Sequence, residues 1–272
     1  MLVGQRNLKD KVRMFRRGLV PATAVAAMVL SAFPLRAEVV TMSAAYYTIA
    51  EGDQDMNHLA SGVFSNEVQS GLGADGLPIL NTSTYGCVTN CFTNTPLPRD
   101  LTASGEITWW SQALNNGGTA GASDVSLTST GTITLPYSNL AFFPPDGSGS
   151  NGDRGGFQAA VFSTLLNVPT TPESIGFSVG ADDVAFVYLD GTLVCDLGGV
   201  HGDNPGTCTS DVIGVGNHSL ELFYADIENT QAALTFNVTT ADVSGSPTPE
   251  PGTMALFGSG LAGLFLVRRK RV

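Results

Sequence analysis

The stretch Ala181–Gly202, ADDVAFVYLDGTLVCDLGGVHG, decides the fold. Val184–Leu189 is an unbroken apolar run, and Thr192–Asp196 is a second strand-like run. Asp190-Gly191 sits between them. An Asx-Gly pair accepts the positive φ angles that a two-residue hairpin turn demands, so the stretch reads as strand, tight turn, strand.

The same pattern continues outward. Val39–Thr48, Glu106–Trp110, Thr132–Leu135, Ile175–Val179, Ser219–Tyr224 and Ala233–Thr239 are further strand-like runs with turn residues between them. In SLELFYA, Leu220, Leu222 and Tyr224 alternate with Glu221 and Phe223; in ALTFNVTT, Leu234, Phe236 and Val238 share a face. That is the period of a strand with one side buried. A short helix is expected between Met56 and Ser70. No internal repeat is present. The composition agrees: 43% of the 272 residues are hydrophobic and 14% charged, with 32 Gly and 14 Pro. Such a chain is too apolar for general disorder and too often broken by glycine for a helix bundle. The expectation is one all-β domain, a β-barrel or sandwich, over residues 38–243.

The net charge is −11 and the isoelectric point near 4.5. Residues 38–251 hold 23 of the 24 acids and two of the 13 bases, Arg99 and Arg154. So acidic a region repels itself until cations or salt screen it. Nucleic acid is excluded as a partner, since it needs a basic face. Metal ions and neutral surfaces are the expected partners.

The remaining bases mark the two ends. A basic region runs to Arg17, then the apolar GLVPATAVAAMVLSAF, then LRA ending at Ala37. Residues 1–37 read as a signal peptide cut after Ala37, with Ala32 the second choice and an uncleaved anchor the alternative. At the other end, a Pro/Gly/Ser-rich hinge covers 244–253, an apolar run covers 254–267, and residues 268–272 open with Arg268-Arg269-Lys270-Arg271. As a helix the run spans roughly 21 Å at about 1.5 Å per residue, against about 30 Å for a bilayer core. It reads as a short transmembrane sorting helix with a basic cytoplasmic tail; an ordinary tail anchor is the alternative. Pro249-Glu250-Pro251 followed by this helix and the Arg cluster resembles the PEP-CTERM sorting signal along its whole length. The resemblance implies a Gram-negative exopolysaccharide producer and recognition by an exosortase. It also implies transient retention in the inner membrane, processing near the motif, and delivery to the cell surface or extracellular matrix.

All four cysteines lie in the exported part. Of the three pairings available, the economical one joins neighbours, Cys87–Cys91 and Cys195–Cys208, in an oxidising compartment. A zinc site is disfavoured, because His58, His201 and His218 are the only histidines and no zinc spacing occurs.

Asp182-Asp183, Asp190-Gly191 and Asp196–His201 resemble the fibro-slime domain, a relative of protective-antigen-type lectin barrels. GLGADGLPIL (Gly71–Leu80), EITWW (Glu106–Trp110), FFPPDG (Phe142–Gly147) and LELFYADI (Leu220–Ile227) extend the resemblance over most of residues 43–240. Two departures stand out. GGFQAAVF replaces a His-Asn-Phe element, and the family's triple Asp is shortened to a pair. The resemblance implies that Asp182 and Asp183 hold calcium through an Asp-Asp pair joined by a cis bond, and that the ion contacts sugar hydroxyls. Physically, two adjacent carboxylates repel unless a cation or donors neutralise them, and an oxygen-rich site suits calcium. The alternative is an Asp pair capping a β-turn.

Asp196 and His201 would line a site at the end of the domain, or serve a glycine turn at Gly198-Gly199. Asp53, Asp55 and Asn57 alternate as at the start of a calcium loop, but His58 stands where glycine is expected and no Glu closes the loop. GSGSNG and GSGLAG lack the βαβ setting of a dinucleotide site. GFSVG, Gly176–Gly180, matches a nucleophile elbow, yet a strand-like run continues through it. No catalytic role is expected. The sequence therefore predicts an exported, non-enzymatic surface or matrix protein that binds or organises exopolysaccharide, with calcium as its cofactor. A ligand-free matrix protein is the alternative, and a surface hydrolase a distant third.

Overall fold

The computed structural model describes residues 39–53, 55–56, 63, 65–81, 100–115, 124–143, 156–228 and 230–245. The expected signal peptide (1–37), Cys87, Cys91, Pro249, Glu250, Pro251, the helix at 254–267 and the tail at 268–272 lie outside them.

The described residues form thirteen strands and no helix. They are β1 (Thr41–Ile49), β2 (Val68–Leu72), β3 (Pro78–Leu80), β4 (Val125–Thr134), β5 (Tyr137–Asn139), β6 (Phe157–Val168), β7 (Glu173–Asp182), β8 (Val184–Leu189), β9 (Thr192–Leu197), β10 (Gly206–Ile213), β11 (Gly216–Ala225), β12 (Ala233–Val238) and β13 (Ser244–Gly245). Two open sheets result. The larger runs β3-β2-β9-β8-β11-β6-β1-β4, with β13 added on β6; the smaller runs β10-β7-β12-β5. The fold is thus a sandwich, with neither sheet closed into a barrel. β13 takes the first two residues of the expected hinge and pairs them with Asn167 and Leu166.

The hairpin at Asp190-Gly191 forms as expected. Both residues have positive φ, 50° and 71°, as a type I′ turn requires. Two other expectations are corrected. The described part of Met56–Ser70 has no helix, and Val68 opens β2 instead. Glu106–Trp110 is not a strand: it makes isolated bridges at Glu106 and Ile107, then turns. An alternating strand would send Trp109 and Trp110 to opposite sides. Here both are buried, 5.5 Å apart edge to face.

Those two indoles explain the core. Between the sheets pack Phe162, Val187, Leu222 and Tyr224 from the large sheet against Phe177, Val179, Leu234 and Phe236 from the small one. The opposite face of the large sheet presents Phe157, Phe186, Tyr188 and Phe223, and the 100–115 segment covers it with Ile107, Trp109 and Trp110. Trp110 Nε1 donates to Tyr224 O at 2.6 Å. The central strands are therefore buried on both faces, and every residue of β8 is buried.

Candidate functional site

The chain crosses from the small sheet to the large one between β7 and β8, with Asp183 alone separating them. Asp182 ends β7 opposite Ala233. β8 pairs with β11 from Val184↔Ala225 onward. One further step of that antiparallel register sets Asp183 opposite Asp226. Pairing between β11 and β6 likewise ends at Ala225↔Ala159, and Asp226 N donates to Gln158 O at 2.9 Å. Strand register thus brings Asp226, distant in sequence, to the adjacent pair Asp182 and Asp183.

Asp182, Asp183 and Asp226 are buried, and one oxygen from each lies within 4.8 Å of the others. The peptide bond joining Asp182 to Asp183 is cis. Asp183 is fixed by backbone donors: Oδ1 accepts His201 N at 3.0 Å and Oδ2 accepts Ile227 N at 2.9 Å. Tyr224 Oη donates to Asp182 O at 2.7 Å. Burial pushes the Asp183 carboxyl up to about 8; the N–H groups of Ile227, His201 and Glu228 oppose the shift, and the Asp182 charge adds to it. No Lys or Arg occurs among the described residues, so no side-chain base of that kind neutralises the cluster there. An all-carboxylate donor set in this state matches a hard, oxygen-seeking cation.

A cavity of about 420 Å³ opens beside the cluster, with Asp182, Asp203, Phe143, Thr230 and Gln231 on its wall. It combines carboxylates, a hydroxyl, an amide and an aromatic face. A larger hollow of about 640 Å³ lies elsewhere and is lined by Tyr47, Trp110, Thr130, Glu221 and Phe223 among others. It has one carboxylate and no cluster. The smaller cavity is the better site, because its wall includes a member of the charged cluster.

Asp196 and His201 are not on that wall. Asp196 Oδ2 accepts Asn66 N at 3.0 Å and Val68 N at 3.3 Å, tying β9 to β2. Burial raises its pKa to about 6 against those donors. His201 donates its backbone N–H to Asp183, while its Nδ1 contacts Gly202 O at 3.0 Å. Gly199 has the positive φ expected of this turn, 86°. Gly198 is needed for a different reason: a Cβ there would collide with the Glu67 side chain. Glu67, unnoticed in the sequence, is fully buried and accepts Gly199 N at 2.6 Å. Burial first, then the Asp196 charge, pushes its carboxyl well above the ordinary range.

The disulfide Cys195–Cys208 forms with a Cα separation of 5.7 Å and joins β9 of the large sheet to β10 of the small one. It closes the loop that carries His201 and Asp203. Gly176–Gly180 lies wholly inside β7, with Ser178 paired to Thr207 and Asn237. The strand–turn–helix of a nucleophile elbow is not formed there.

No local sequence pattern singles out Asp226, Asp203, Thr230 or Gln231 as site residues. Asp226 lay in the quoted LELFYADI segment, and only the pairing of its strand with Val184–Leu189 reveals it.

Comparison with known proteins gives distant likenesses for the β domain. Protein psiD of Dictyostelium discoideum is 24% identical over 209 residues, which cover 67% of this chain and 37% of psiD. This chain therefore spans little more than a third of that relative. Among solved structures, the PA14 sugar-binding domain from an RTX adhesin superposes with a TM-score of 0.33 at 14% identity, covering 77% of this chain and 99% of that domain. The Epithelial Adhesin 6 A domain of Candida glabrata, solved with Galb1-3GlcNAc, gives a TM-score of 0.32 at 10% identity, covering 79% and 90%. Residues 247–271 match the family model of the PEP-CTERM protein-sorting motif. The chain thus carries, at its C-terminal end, the sorting motif of an exported protein.

Proposed function

We propose that this protein is an exosortase-sorted surface protein whose β sandwich binds carbohydrate through calcium at Asp182, Asp183 and Asp226. The observation that carries the reading is the cluster itself: three buried carboxylates, no Lys or Arg among the described residues, and a cavity with Asp182 on its wall. Calcium, when bound, would offer coordination positions to sugar hydroxyls. The chain's own residues do the rest. The backbone N–H groups of His201 and Ile227 orient Asp183, while Phe143, Thr230 and Gln231 give a ligand an apolar face and hydrogen-bonding groups. Extracellular polysaccharide is the substrate class, and the work is adhesion or matrix organisation rather than catalysis.

The test is a glycan array probed with surface-extracted protein in calcium, in magnesium and in chelator. Retention that needs calcium and disappears in Asp183→Asn supports the reading. Retention unaffected by chelator would move the sugar contact away from the cluster. No retention on any glycan would leave a purely structural matrix protein.

The sorting half rests on Pro249-Glu250-Pro251 within the matched motif. On this reading the protein resides transiently in the inner membrane through residues 254–267 and is processed close to the motif.

A further inference from the structure

A second group of carboxylates lies apart from this site. Asp53 follows the turn after β1, Asp100 begins the 100–115 cover segment, and Asp124 directly precedes β4. One oxygen from each lies within 4.8 Å of the others. Asp53 is 7% exposed and Asp100 1%. Asp53 Oδ1 accepts the backbone N–H of Asp55 at 2.7 Å. Its other oxygen, Oδ2, is buried with no hydrogen-bond donor, and the side chain facing Asp53 is another carboxylate, Asp100. Asp124 Oδ1 is likewise buried without a donor.

The surroundings are built around the cluster rather than into it. Asp55 is not a member: its Oδ2 accepts Asp100 N at 3.1 Å and the Trp109 indole N–H at 3.3 Å. Asn115 Oδ1 accepts Asp124 N at 3.2 Å, and Thr108 Oγ1 donates to Asp100 O at 2.9 Å. Ala50 N donates to Asp124 O at 2.9 Å. These bonds hold three separate segments so that their carboxylates converge, while donating nothing to Asp53 Oδ2. Converging like charges at this depth are costly unless a proton or a cation lies between them.

We infer that Asp53, Asp100 and Asp124 form a second cation site, separate from the Asp182 cluster, which takes calcium and pins the 100–115 cover to the β1–β4 edge of the large sheet. All three donors are carboxylate oxygens, with neither nitrogen nor sulfur in the set, which selects a hard divalent ion over zinc or copper. Calcium is preferred to magnesium, because ligands drawn from three independent segments meet its flexible geometry more readily than a strict octahedron. Trp109 and Trp110 belong to the same segment, so the ion would stabilise the cover over the outer face of the sheet.

Calorimetric titration of the chelator-stripped exported protein with calcium chloride tests this. Two ions per chain are expected. Asp183→Asn should leave one, and Asp100→Asn should remove the other or weaken it at least tenfold. Because Asp100 is fully buried, Asp124→Asn, at a half-buried position, is the second variant and should lose the same ion. A single ion that survives Asp183→Asn but not Asp124→Asn would keep this site and reject the Asp182 one. Loss of all calcium in Asp183→Asn, or stoichiometry unchanged in both Asp100→Asn and Asp124→Asn, would overturn the inference.

Discussion

Removing the Cys195–Cys208 disulfide should cost stability in a calculable amount and disturb the site next to it. The bridge spans a sequence separation of 13 residues. In the chain-entropy model a closed loop of that size is worth about 3 kcal/mol at 25 °C. Unfolding entropy of about 2.1 cal/mol/K per residue gives roughly 0.4 kcal/mol/K for a domain of about 200 residues, so the loss converts to about 7 °C in Tm. The perturbation is Cys195→Ala with Cys208→Ala, which leaves no new thiol. The assay is thermal melting followed by circular dichroism in chelator, so that bound ions do not mask the change. The bridge also closes the loop from which His201 donates to Asp183 Oδ1. Amide exchange at His201 should therefore accelerate in the variant, while exchange in the middle of β11 stays slow. A drop in Tm below about 2 °C, together with unchanged exchange at His201, would refute the reasoning, since a cross-link between two sheets that matters must show in one or the other.

Other consequences can be read from single contacts. Trp110→Phe keeps a ring against Phe223 but removes the indole N–H that donates to Tyr224 O, and losing that one hydrogen bond should cost about 1 kcal/mol; denaturant unfolding measures it, and an unchanged midpoint would reject the bond. His218 Nδ1 lies 2.6 Å from Asp190 Oδ2, and this partner raises the histidine above its usual value of 6.5. A raised histidine contributes stability below its unfolded pKa and loses it as pH rises through the folded one. Asp190→Asn should lower the His218 titration midpoint by NMR; an unmoved midpoint would dissolve the pair. For sorting, mass spectrometry of the surface fraction should find no peptide containing Arg268–Arg271, and alanines at Pro249-Glu250-Pro251 should trap the protein in the membrane. An intact tail at the surface would favour a simple anchor.

The sequence made the hairpin and several strands legible, because their signals are local. Asp190-Gly191 needs positive φ, and Leu220, Leu222 and Tyr224 keep period two. It hid β6, since FQAAVFSTLLNV is a central strand nearly covered on both faces and shows no alternation. It hid β10 for the opposite reason: GTCTSDVI is largely polar and lies at a sheet edge. EITWW misled because aromatic residues favour strands in general, whereas these two indoles form a lid over another strand's face. At the site, Asp182-Asp183 was visible as an adjacent pair. Asp226 was not, because its approach depends on the β8–β11 register. Asp53 does not fit the spacing of a contiguous calcium loop; its partners Asp100 and Asp124 come from other segments, which a loop pattern cannot detect.

Three buried carboxylates meet where the chain crosses between the sheets, and one diffraction experiment shows whether they hold an ion. Crystals of the exported protein grown in calcium chloride, with data collected where calcium scatters anomalously, should show a peak about 2.3–2.6 Å from oxygens of Asp182, Asp183 and Asp226, on the side that opens to the cavity lined by Phe143 and Thr230. A map with no anomalous peak there at saturating calcium, and with the three carboxyl groups held together by shared protons, would contradict the account and leave the Asp pair as a turn cap between two sheets.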